Sequence, residues 1–82
     1  MSRIPVKKSL YSADYERFLQ LLREAREAAG LTQMQAARKM GRLQSFVSKC
    51  ESGERRVDII ELSKFCEAYE ISTARFLKKL ER

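Results

Sequence analysis

The 82-residue chain has no histidine, one proline, two cysteines and three glycines. Without histidine no Cys/His zinc site can form, and Cys50 and Cys66 alone make a poor one. Catalytic chemistry has little to draw on. The usual acid–base side chain is missing, no glycine-rich loop cradles phosphate, no paired carboxylates suggest a cleft, and neither cysteine has an obvious base. The chain therefore reads as a non-enzyme, with no metal and no cofactor. No apolar run reaches the roughly 20 residues that cross a bilayer. The start, MSRIPVKKSLYS, lacks the apolar stretch of a secretory signal. These absences predict a cytoplasmic protein whose two thiols are small core residues rather than a disulfide.

Acidic residues are also in deficit, with 17 Lys and Arg against 11 Asp and Glu, a net charge of +6. That excess favours an anionic partner such as nucleic acid or acidic lipid, although a solvated basic surface would look the same. The helices split polar and apolar residues as a globular core requires, which argues against a membrane-surface helix. The length suits one small domain. Such a domain buries only about 60% of its unfolded surface, so oligomerisation can matter to its stability.

No segment alternates as a strand would, and there is no repeat or low-complexity stretch. Residues 1–11, with Pro5, Lys7 and Lys8, show no period and read as a flexible basic arm. Residues 12–82 read as the domain. Ser12 caps a helix to about Ala29, with Asp14 in its first turn and Tyr15, Phe18, Leu19, Leu22, Ala25 and Ala29 on one stripe. Gly30 stops it. Thr32 and Gln35 form a capping box for a second helix with Ala36, Ala37 and Met40 inside. Gly41 offers the positive φ of a tight turn. A third helix, from about Leu43 to Glu51, turns Phe46, Val47 and Cys50 inward. Asp58 and Glu61 box a fourth helix with Ile59, Leu62, Phe65, Cys66 and Tyr69 as its apolar positions. Ser72 or Thr73 starts a fifth, bearing Phe76, Leu77 and Leu80.

A short helix, a glycine turn and a second short helix have the layout of a helix-turn-helix. Ala37 supplies the small residue where the two helices touch. Packing Val47 and Cys50 inward turns Gln44, Ser45, Ser48 and Lys49 outward together. These are side chains that hydrogen-bond to base edges in a major groove, where Gln suits adenine, Lys suits guanine and Ser suits several edges. The basic turn that follows, with Arg55 and Arg56, suits phosphates. An ordinary helical hairpin with a solvated polar face would share these spacings.

The stretch resembles the Cro/lambda-repressor or XRE-type helix-turn-helix family. The resemblance rests on Leu31-Thr32-Gln33, Ala37, Gly41, Gln44-Ser45, Val47-Ser48, Glu51, Gly53, Arg56 and Leu62, and spans roughly Phe18 to Leu80. It implies an all-α, five-helix domain whose second and third helices form the motif and which binds double-stranded operator DNA as a two-fold dimer in the cytoplasm, on the prokaryotic nucleoid. It assigns Gln33 to a phosphate contact that also braces Gln44. Gln44 and Ser45 enter the groove first, with Ser48 and Lys49 deeper or flanking. Arg42, Arg55 and Arg56 become phosphate contacts, and Arg26 and Glu51 a structural pair joining the first helix to the third.

The sequence departs from the family pattern at three positions. Relatives usually carry leucine where this chain has Ala36, a gap that Phe46 could fill from the third helix. Alternatively Phe46 stays outside and touches a thymine methyl or a partner. Glu70 stands where relatives often have glycine, and Cys50 where a larger apolar residue is common. Phe76, Leu77 and Leu80 either cap the core or pair in part across a two-fold axis. The arm's Arg3, Lys7 and Lys8 either follow the DNA or form a plain tail. The expected function is a small homodimeric repressor. The alternative is an antitoxin, partnered by a toxin, or a restriction–modification controller.

Overall fold

The computed structural model describes residues 12–81; the arm, with Arg3, Lys7 and Lys8, lies outside them. Within that span are five helices and no strand: α1 (Ala13–Ala28), α2 (Gln33–Met40), α3 (Gln44–Ser52), α4 (Ile59–Ala68) and α5 (Thr73–Leu80). Four of them start on a side chain that accepts from the helix: Ser12, Thr32, Asp58 and Ser72. Each satisfies one of the first-turn N–H groups that have no partner inside the helix. Both expected capping boxes form. The Gln35 N–H donates to Thr32 Oγ1 at 3.1 Å, and Gln35 Oε1 accepts from the Thr32 N–H at 2.9 Å. The Asp58–Glu61 pair repeats this at 2.7 and 3.1 Å.

Three helices end alike. After α1, α2 and α4 an N–H reaches back five residues, from Leu31 to Arg26, Arg42 to Ala37 and Ile71 to Cys66. This closure needs a left-handed residue at the turn. Gly30 and Gly41 supply it at φ 76° and 68°, while after α4 it is Glu70, at φ 59°. The expected departure at Glu70 thus leaves the turn's shape intact and places the strain on one side chain. A left-handed L-residue costs about 1–2 kcal/mol, part of which glycine would forfeit through its freer unfolded chain. The Glu70 carboxylate lies 3.8 Å from Lys39 Nζ in an exposed pair that offsets little. Glu70→Gly is therefore expected to raise stability by about 0.5–1 kcal/mol, read as a higher thermal midpoint. An unchanged or lower midpoint would show that the turn is unstrained.

The core gathers Leu22, Ala36, Ala37, Val47, Cys50, Phe65, Cys66 and Phe76, all essentially without exposure. Helix α2 packs most closely on α3, α1 bridges α3 and α5, and α4 packs on α2 and α5. Phe18 meets Phe76 edge-on at 5.8 Å, and Phe65 runs parallel to Phe46 at 5.7 Å. Phe46, 8% exposed and stacked on Phe65, is thus a core residue. Two expectations are corrected. Ala29, expected on the inner stripe of α1, is exposed at the C-cap of that helix. Ile59, on the expected inner stripe of α4, is 59% exposed. It is the first residue of the helix, three residues before Leu62, where the buried stripe of α4 begins. Phe76, left open by the sequence between capping the core and pairing across a two-fold axis, is only 1% exposed and belongs to the core. Leu77 and Leu80 remain half-buried at its margin.

Candidate nucleic-acid interface

The joint between α2 and α3 sets the geometry of the site. Ala37 is 1% exposed on α2, the helix packed most closely on α3, so a larger side chain there would have to displace core neighbours. Gly41 carries the turn at φ 68°. A Cβ there would meet no atom within 4 Å, so the requirement is one of backbone conformation rather than space. With Val47 and Cys50 fully buried beneath α3, Gln44, Ser45, Ser48 and Lys49 share its exposed side. The four expected base-reading residues are therefore brought together. Burial pushes the Cys50 and Cys66 thiols up, away from the reactive thiolate.

Glu51, the last-turn carboxylate of α3, is 6% exposed and fully engaged. It accepts from Arg26 Nε at 2.6 Å, Arg26 Nη2 at 3.1 Å and Gln33 Nε2 at 3.0 Å. Arg26 Nη1 also donates to the Leu31 carbonyl at 2.8 Å. The hydrogen bond to Glu51 holds the Arg26 guanidinium above its ordinary range, against the opposing effect of burial. One carboxylate thus ties α1, the start of α2 and the recognition helix together. Gln33 braces this hub through Glu51.

The arginines of the phosphate set sit over aromatic rings. The Arg42 guanidinium carbon lies 3.6 Å from the Phe46 centroid, and that of Arg55 lies 4.9 Å from it. Arg55 also forms a two-point ion pair with Glu61, Nη1 to Oε1 at 2.9 Å and Nη2 to Oε2 at 2.8 Å. That hydrogen-bonded pair holds the Glu61 carboxyl below its ordinary range. Arg56 lies 4.1 Å from the Tyr15 ring, and the Tyr15 hydroxyl accepts from the Val57 N–H at 3.1 Å. A guanidinium stacked on a ring can keep its in-plane N–H edge for an anion while losing much of its freedom, as at Arg42, whereas the Arg55 edge is already held by Glu61.

The helix-turn-helix domain family matches residues 17–76. The chain belongs to the XRE-type helix-turn-helix family. A solved XRE-family like protein from Pseudomonas syringae pv. tomato str. DC3000 is 47% identical over 92% of both chains, with a TM-score of 0.81. No curated protein matches. Membership supports a DNA-binding regulatory role for this XRE-type domain.

Some contributors to the domain's face are not visible in the motif. Arg23 lines a shallow depression with Gln33, Ser48 and Ser52, above the Arg26–Glu51 pair. The signal was a basic residue three positions before Arg26, on the same side of the first helix. Tyr15 reads in the sequence as one more apolar stripe residue, yet it anchors the basic turn. Among the described residues no group of three or more His, Cys, Asp or Glu could hold a metal. No helix there is long and apolar enough to cross a membrane.

Proposed function

We propose that this XRE-type domain is a sequence-specific transcriptional regulator that binds double-stranded operator DNA as a homodimer and represses. The observation that carries this reading is the division of α3 into a buried side and an exposed side. Phe46, Val47, Cys50 and Glu51 are buried, while Gln44, Ser45, Ser48 and Lys49 are exposed, with Gln33 lining a depression beside Ser48 and the Arg42 and Arg55 guanidiniums over the Phe46 ring. A helix of this kind fits a major groove, with its N-terminal residues first at the base edges. The arginines suit the flanking phosphates, which position a protein on the duplex without specifying sequence. The homodimer part is supported by Leu77 and Leu80, half-buried apolar residues beside an open hollow with Asp14 and Glu81.

Selection of duplexes from a random pool, near physiological salt, tests the reading. An enriched inverted repeat is expected, and its half-site spacing would report the dimer geometry. Gln44→Ala is expected to lose about 1–3 kcal/mol of discrimination at one base position per half-site. Arg56→Ala is expected to weaken all duplexes alike and flatten the salt dependence by about one unit. Binding without an enriched motif would reduce the contact to electrostatics and sink the repressor reading.

A further inference from the structure

Leu43 stands at the N-cap of α3, the position where Ser, Thr, Asp and Asn are preferred because their oxygen accepts from the first turn. It makes no side-chain cap hydrogen bond, unlike the N-caps of the other four helices. It is also 77% exposed, the most of any large apolar residue in the described chain. Leucine here forgoes a cap and leaves apolar surface in water, two costs with no return inside the domain. Phe46, the apolar side chain one turn on, is stacked on Phe65 and covered by Arg42, so it cannot reach outward. Leu43 is left as the exposed apolar group beside Gln44 and Ser45, at the end of the helix that meets base edges first.

The major groove offers one apolar group that differs between bases, the 5-methyl of thymine. We infer that Leu43 is a specificity residue that packs on a thymine methyl next to the base pair read by Gln44. This rests on the DNA-reading function proposed above. The backbone at Leu43 is extended, φ −77° and ψ 153°, and its carbonyl accepts from the Phe46 N–H at 3.0 Å. The helix therefore starts normally there, and the leucine serves no need of the fold.

The test replaces each thymine of the selected operator half-site in turn by deoxyuridine, which removes the methyl and leaves every hydrogen-bonding group. The native protein is expected to lose about fourfold in affinity at one thymine, the worth of one buried methyl group. Leu43→Ser is expected to lose that penalty, and Leu43→Met to keep it. Both should still select the base pairs that depend on Gln44. Because serine restores a cap, the thermal midpoint of Leu43→Ser should not fall. A selected motif with no deoxyuridine-sensitive thymine, or a penalty that Leu43→Ser retains, would overturn the inference while leaving the regulator reading intact. A pool with no enriched motif would overturn both.

Discussion

Arg26→Ala is expected to destabilise the domain by about 3–5 kcal/mol, the cost of stranding a buried carboxylate without its partner. Glu51 is 4% exposed at its side chain and takes two of its three hydrogen bonds from Arg26. A chain of this size holds only about 5–10 kcal/mol of total stability, so the thermal midpoint should fall by more than roughly 12 °C. Replacing both partners at once, Arg26→Met with Glu51→Leu, removes the stranded charge and should recover much of the loss. Thermal and urea unfolding of the two single variants and the pair would decide this. A single-variant cost below about 1 kcal/mol would mean that water replaces Arg26 and that the hub is not structural. A double variant no better than the singles would show that the hydrogen bonds to Gln33 and the Leu31 carbonyl matter more than the charges.

Phe46→Ala carries the second large effect, an expected loss of about 3–5 kcal/mol from the cavity it opens beside Phe65. Phe46→Leu keeps most of the volume and should cost only about 1–2 kcal/mol. It still removes the ring beneath Arg42 and Arg55, so it separates packing from presentation. If the ring holds the guanidinium of Arg42 in place, Phe46→Leu and Arg42→Ala will not be additive in duplex affinity. Additive losses would mean that Arg42 acts as a free surface charge. Equal costs for Phe46→Ala and Phe46→Leu would place the ring outside the packed core.

Features that depend on a few neighbouring residues were legible from the sequence. The caps at Ser12, Thr32 and Asp58 and the turns at Gly30 and Gly41 all work within about five residues of chain. The residue type therefore fixes their hydrogen bonds before any packing occurs. The outward set on α3 was equally legible, because helical periodicity alone puts Gln44, Ser45, Ser48 and Lys49 opposite Val47 and Cys50. The left-handed turn residue at position 70 was the partial case. Its place could be read from the family pattern, but not that a glutamate would adopt φ 59° rather than reshape the turn.

Long-range contacts were not legible. Whether Phe46 faced the core or the DNA, and whether Phe76 faced the core or a second copy, turned on how far apart the helices sit. That distance is set by all the core side chains together. Ile59 illustrates the same limit, since a stripe of correct period does not reveal where the core ends. Gln33 was legible as a polar residue at a helix start, but its partner Glu51 lies 18 residues away. By itself the sequence determined the helices, their ends and the polar face of α3, because those follow from local hydrogen bonding and period. Only the tertiary structure decided which arginines rest on which rings, which phenylalanines are inside, and that Leu43 is left in the open. Those outcomes depend on surfaces that meet only after the chain has closed.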